Sequence, residues 1–139
     1  MILDQNKIKL ILPQQAPFIM IDSLINFSDT SAETSLFVHP ENLLLEKDKF
    51  SVAGMIENMA QTAAAHMGYS AFLQSLSPPV GLIAALRNLD IILQPSVNST
   101  IFTKIEYIQT VLNIQIINAS ITLENKKIAT VELKIFIQE

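Results

Sequence analysis

The chain contains no cysteine, which excludes a disulfide framework, a thiolate nucleophile and any cysteine-based metal site. Histidine is nearly as scarce. His39 and His66 are the only two, too few to suggest a metal, and none is expected. Basic residues are also sparse: nine Lys and Arg stand against thirteen Asp and Glu, with no run of like charge and no basic stripe interleaved with aromatics. Nucleic acid is therefore not an expected partner. A secretory leader is not expected either, because "MILDQNKIKLILPQQ" has an acid where such a signal is positive and lysines break its short apolar stretch. What is left is one compact domain of a cytoplasmic bacterial kind. At 139 residues, half of them hydrophobic, the chain has enough apolar material for a sizeable core.

What the sequence does have is "SVAGMIENMAQTAAAHMGYSAFLQSL", starting at Ser51. It is long and apolar enough to suggest a membrane crossing, but Glu57, Asn58, Gln61 and His66 would then lie in or near hydrocarbon. A single charged residue at the bilayer centre costs about 2.5 to 3.5 kcal/mol even on the lenient insertion scale. A buried helix in a water-soluble domain fits better, and no membrane span is expected. Ala, Met, Leu, Glu and Gln favour helix, Ser51 suits the N-cap, and Pro78-Pro79 follows as a stop. The apolar residues lie on every side, as they do in a helix enclosed by other structure.

The flanking sequence alternates and is rich in β-branched residues. "FIMIDSLINF" and "SAETSLFV" before the helix, then "VGLIAALRNLDIIL", "STIFTKIEYI", "NIQIINASITL" and "KIATVELKIFI" after it, predict six strands. "SDTS", "QPSVNS" and "ENKK" mark turns, and no second helical segment is present to make parallel crossovers, so the strands should run antiparallel. One α+β domain over residues 1–139 is expected, with a curled antiparallel sheet wrapped around one long central helix. That is the hot-dog layout.

The motifs carry a family resemblance as well. "LPQQAPFIMIDSL", Leu12 to Leu24, resembles the opening of the bacterial β-hydroxyacyl-acyl carrier protein dehydratases, and "IENMAQTAAA", Ile56 to Ala65, resembles their helix motif. The two occur in the family's order. "GLIAALRNLDIILQPSV" resembles a further strand of that family, without its arginine-proline pair and glycine-aspartate turn. The helix is most similar to that of the divergent dehydratase-like branch found in aryl-polyene pigment clusters.

The resemblance implies removal of water from a 3-hydroxyacyl thioester held on acyl carrier protein, giving a trans-2-enoyl thioester without a cofactor. Such a reaction needs a base for the C2 proton, an acid for the departing hydroxyl and donors for the thioester oxygen. Glu57 aligns with the family's helix carboxylate, which acts on the hydroxyl side. A carboxyl group shut among apolar side chains favours its neutral, proton-donating form. Gln61, one turn on, faces the same side and could orient Glu57. The backbone N–H groups of Ala53 and Gly54, near the positive end of the helix, are candidates for the thioester oxygen. His39 is the candidate base, although the family's "GHFPG" loop is replaced by "FVHPENLLLEKDKFSVAG", with His39 eighteen residues before Glu57. Met55, Met59 and Met67 are candidates for an acyl tunnel, with plain core as their alternative.

Other polar residues have simpler readings. His66 lies nine residues beyond Glu57, about half a turn round and about 13 Å along the axis, so the two cannot form a dyad within one chain. It is expected to be a hydrogen-bonded core histidine. Asp22 matches a structural aspartate of the resembled family, with Ser23 where that family has arginine. Arg87 and Asn88 suit a sheet edge, a pocket mouth or a subunit interface.

A sheet wrapped around one side of an apolar helix leaves part of that helix uncovered, and pairing two domains would bury it. The resembled family is dimeric, with acyl sites between subunits. A homodimer, or a heterodimer with a related hot-dog subunit, is therefore expected, with acyl carrier protein as the substrate-bearing partner. Lys47, Lys49 and Arg87 are candidates for the basic patch that docking an acidic carrier requires. Two alternatives stay open: an acyl-thioester hydrolase in which Glu57 activates water, and a non-catalytic subunit that supports an active partner.

Overall fold

The computed structural model describes residues 1–138. At its centre is one helix, α1 (Val52–Leu73). Strands β1 (Ser23–Phe27) and β2 (Ser31–Phe37) and a hairpin of two-residue strands, β3 (Leu45–Glu46) and β4 (Lys49–Phe50), precede it. After it come β5 (Val80–Ile91), β6 (Thr100–Val111), β7 (Ile114–Leu123) and β8 (Lys126–Gln138). Six of these strands form one antiparallel sheet in the order β1-β2-β6-β7-β8-β5, curled around the helix. This is the hot-dog architecture that the alternation and turn clusters predict. No helix among the described residues is long and apolar enough to cross a membrane.

The helix begins where a hydroxyl can satisfy its first free donors. Ser51 is extended, and its Oγ accepts the Gly54 N–H at 3.0 Å. Gly68, on the same helix, passes so close to the Ile11 carbonyl that any Cβ there would collide with it, which explains a residue otherwise costly in a helix interior. Sheet alternation supplies the rest of the core: Ile101 and Ile105 of β6, Ile117 and Ile121 of β7 and Leu133 of β8 are all fully buried and face Met55, Met59 and Ala63 of α1.

One expectation fails. The stretch from Phe18 is not a strand until Ser23, although its alternation is β-like. At Phe18 and Met20 its backbone finds partners in helix side chains, and a neighbouring strand is reached first at Asp22, whose N–H donates to the Ser35 carbonyl of β2 at 2.7 Å. The Met20 N–H donates to Gln61 Oε1 at 2.6 Å, the Met20 carbonyl accepts from Asn58 Nδ2 at 2.7 Å, and the Phe18 carbonyl accepts from Gln61 Nε2 at 2.8 Å. Asn58 Oδ1 also accepts from Thr103 Oγ1 of β6 at 2.5 Å. Thr62, one turn on, accepts from Thr34 Oγ1 of β2 at 2.7 Å and donates to the Asn58 carbonyl at 2.9 Å. Asn58, Gln61 and Thr62 are all fully buried. The polar residues that argue against a membrane helix are thus the ones that fasten α1 to its surroundings.

The two sheet edges differ. At β1, Leu3 bridges to Leu24 and partly covers the edge. The opposite edge, β5, is twelve residues long, pairs only with β8 and exposes Val80, Leu82, Ile83, Leu86 and Leu89. Arg87 and Asn88 lie on this strand, where the register shifts between Arg87 and Asp90. A long, bare, apolar edge is the kind of surface that pairs with another chain.

Replacing Asn58 with Ala leaves the Met20 carbonyl and the Thr103 hydroxyl buried without a partner. We predict a loss of about 2 to 6 kcal/mol in urea denaturation, since each of the two orphaned buried groups costs about 1 to 3 kcal/mol. Gly68→Ala is predicted to destabilise as well, against its helix-propensity gain of about 1 kcal/mol.

Candidate active site

Glu57 stands in the second turn of α1, on the one stripe of the helix that the sheet does not cover. Ala53 is exposed, and Glu57, Ala60, Ala64 and Met67, spaced by three or four residues, are only half-buried. Glu57 borders two cavities. One, of about 450 Å³, is walled by Phe18, Leu44 and Ala53. The other, of about 250 Å³, lies between α1 and β5, with Ala60, Ala64, Met67, Gly81 and Ile135 among its walls.

Gln61 fixes the carboxylate. Its Nε2 donates to Glu57 Oε1 at 3.0 Å as well as to the Phe18 carbonyl, while its Oε1 takes the Met20 N–H. The orienting side chain is fully buried and held at both ends. Glu57 is therefore an acid with one oxygen in a fixed hydrogen bond and a flank facing open space. Its enclosure is incomplete in one chain: the side chain is half-buried, and the stripe it belongs to faces outward beside β5.

The remaining candidates are placed differently. His39 is exposed just beyond β2, in a turn closed by its own carbonyl to the Asn42 N–H at 2.9 Å, and its Nδ1 accepts the Glu41 N–H at 3.1 Å. It borders neither cavity at Glu57. The Gly54 N–H is taken by Ser51 and is not free for a thioester oxygen; a Cβ at Gly54 would run into the Phe50 ring, so the glycine serves packing. Ala53 borders the larger cavity. Met55 and Met59 are sealed in the core, and Met67 is the methionine that reaches the groove. Lys47 and Lys49 belong to the β3–β4 hairpin, where Lys49 Nζ bonds Ser96 Oγ at 3.0 Å, while Arg87 on β5 lies 3.9 Å from Glu132.

One residue had no signal in the sequence beyond its place in "LPQQAPF". Gln14 lines the cavity between α1 and β5, and its Oε1 is buried without a hydrogen-bond partner among the described residues. Nothing in the pattern separates it from Gln15.

His66 is the core histidine that the sequence predicts. It is 5% exposed, stacked on Phe27 with ring centroids 4.8 Å apart, and Nε2 lies 2.7 Å from the Ser28 carbonyl. A carbonyl only accepts, so Nε2 carries the proton and the neutral ring's Nδ1 accepts from the Tyr107 hydroxyl at 3.0 Å. Burial holds the imidazole below its ordinary 6.5, with the Ser28 carbonyl opposing. Burial likewise keeps the Tyr107 hydroxyl protonated well beyond its usual range. Asp22 is structural: its Oδ2 accepts the Phe37 N–H at 2.7 Å, and burial raises its carboxyl above the ordinary value.

The fold and the helix carboxylate beside a groove place the protein among hot-dog domains with an acid on the central helix. The sequence matches the model of the ApeP-like family, described as ApeP dehydratase, over residues 6–139, and the chain belongs to that family. Its structure is similar to a chain of the dehydratase heterocomplex ApeI:P from Xenorhabdus doucetiae (TM-score 0.88, 17% identity, covering 95% of this chain and 91% of that one). It is also similar to an HP0420 homologue from Helicobacter felis (TM-score 0.71, 13% identity, 96% and 89% covered). A third similar structure is the PaaI protein of the E. coli phenylacetic acid degradation operon (TM-score 0.63, 12% identity, 82% and 81% covered). No curated protein matches the chain in sequence.

A lowered histidine pKa has a fixed sign. Below about 6.5 the unfolded chain takes up a proton at this position that the folded one resists, so stability is full above that pH and falls as pH drops through the folded value. Asp22 works in the opposite direction at lower pH, because its raised carboxyl takes a proton first in the folded state. Melting curves from pH 8 to 5 should show a decline that sets in near 6.5. In His66→Gln the decline over that window should be shallower, the Asp22 contribution being common to both proteins. Parallel declines would show that His66 titrates alike in both states.

Proposed function

We propose that the protein is a dehydratase of 3-hydroxyacyl thioesters carried on acyl carrier protein, working as part of a dimer of hot-dog subunits. The observation that carries this reading is the Glu57–Gln61 pair: a carboxylate on the uncovered stripe of α1, oriented by a buried amide and bordering two cavities. In the reaction a base removes the C2 proton, electrons shift to form the C2–C3 double bond, and Glu57 donates a proton to the departing 3-hydroxyl, which leaves as water. The apolar walls beside it suit an acyl chain, and the small side chains of Ala60, Ala64 and Gly81 leave room for one.

The base is not in reach within one chain. His39 borders neither cavity at Glu57, so the base comes from a second subunit seated against the α1 stripe and the β5 edge. The bare apolar β5 edge supports such an assembly, and so does the likeness to a chain of a dehydratase heterocomplex. The likeness to a heterocomplex favours a related but different subunit as that partner, with the His39 of a second copy of this chain as the alternative source of the base. The same dependence supports the narrower reading in which this chain contributes no catalytic group at all and only completes the partner's site.

The test is product analysis with a 3-hydroxyacyl carrier-protein thioester, using the protein alone and in complex with whatever hot-dog subunit copurifies with it. We expect enoyl thioester from the complex and a loss of about a hundred-fold or more in Glu57→Gln, the usual scale for removing a general acid. Unchanged turnover in that variant would mean that this chain lends only structure. Free fatty acid in place of enoyl thioester would make the protein a hydrolase. On the assembly side, Leu86→Asp on β5 should shift the protein towards monomer in light scattering, and an unshifted mass would place the interface elsewhere.

A further inference from the structure

Beyond the two cavities at Glu57, the same side of α1 carries a further one, of about 360 Å³, towards the end of the helix. Its walls include Ser70, Ala71, Leu76, Pro79, Tyr107 and Ile137. Ile135 lines the cavity between α1 and β5, and Ile137 lines the further one. Two apart on β8, they share one face of the sheet, so the two spaces follow one another along the trough between helix and sheet. Met67 alone among the described residues lines both.

Met67 is placed to act as a movable partition. It is half-buried, and its Cε would lie 3.8 Å from a Cβ built at Gly81, so its tip spans the trough from α1 to β5. A Cβ at Gly81 would sit in ordinary contact with that tip but would collide with Ile135 Cγ2 at 2.8 Å, so the glycine keeps β8 close at this point of the trough. Methionine has three rotatable side-chain bonds and no branching, and it yields where leucine or isoleucine would not. Most polar groups on the far cavity's wall are committed to one another or to neighbours: His66 and Tyr107 are hydrogen-bonded to each other, His66 to Ser28 as well, Gln74 to Ser70, and Gln115 accepts from Thr110. Ser77 apart, its remaining walls are methionine, alanine, leucine, proline and isoleucine side chains, which suit the hydrocarbon end of a chain.

We infer that Met67 determines acyl-chain length: a tail that ends at Met67 fits the cavity beside Glu57, and a longer one must displace this side chain to enter the space beyond. The inference rests on the acyl-thioester reading of the site. It makes Met67 a specificity residue with no part in proton transfer.

The experiment is a length series of 3-hydroxyacyl pantetheine thioesters, from short to long, assayed by kcat/KM with the complex carrying wild-type protein, Met67→Ala or Met67→Phe. Opening the partition with alanine should raise the long-to-short ratio by about ten-fold or more, the scale on which an added methylene is discriminated in an apolar pocket. Phenylalanine should lower it. The opposite responses of the two variants separate a gate from general damage to the fold. Equal ratios in all three proteins would overturn the inference.

Failure of the dehydratase reading would look different. If no thioester is turned over by any of the three, the same length series with saturated acyl pantetheines is followed by calorimetry. A length limit in binding that moves with Met67 upholds the partition without the chemistry. A limit that does not move, or no binding of any length, overturns it.

Discussion

The arrangement depends on the grip of Asn58 and Gln61 on the extended segment around Met20. Two buried amides take up three backbone groups that no strand serves. Without them that segment would carry unpaired donors and acceptors against an apolar helix, at a cost of about 1 to 3 kcal/mol for each group. The same contacts set the site. Gln61 has one amide nitrogen shared between Phe18 and Glu57, so the bond that ties the chain to α1 also aims the carboxylate, and Phe18 becomes a wall of the larger cavity. Structural and functional demands on this helix fall on one side chain.

A second constraint is the helix being covered on most sides but not all. The sheet curls around α1 from β2 through β6 and β7 to the edge strand β5, which leaves a trough at the stripe of Glu57, Ala60, Ala64 and Met67. Small residues on that stripe keep the trough open. The edge beside it is apolar and bare, and Leu82 is 53% exposed there. A single chain is thus completed on the β2 side and unfinished on the β5 side, which is where another subunit belongs.

Much of this was legible in the sequence, and the failures have physical causes. Helix and strands followed from residue type and periodicity, because α1 and the long strands each bury a regular pattern. The Phe18–Asp22 stretch has the same alternation as a strand, but pairing partners are a property of the whole fold, and for Phe18 and Met20 they are side chains of the distant helix. The two-residue strands β3 and β4 are too short to show a period. Glu57 and Gln61 stood out as polar residues in an apolar helix, and the structure brings them together. Gln14 did not stand out, since its burial depends on the trough that β5 and α1 make. Gly54 was offered for its freedom of approach, whereas the Phe50 ring explains it. Met55 and Met59 share helical spacing with the groove, but they lie on the sheet-facing side, and spacing alone cannot say which side is covered.

The proposed chemistry requires an acyl thioester in the trough beside Glu57 with its 3-hydroxyl at the carboxylate. A crystal structure of the assembled protein with a non-reactive 3-hydroxyacyl pantetheine bound tests it most directly. The 3-hydroxyl should lie within hydrogen-bond distance of Glu57, the tail should run along Ala60 and Ala64 towards Met67, and a basic side chain of the second subunit should face C2. A ligand bound elsewhere, or a trough filled by side chains of the partner, would contradict it.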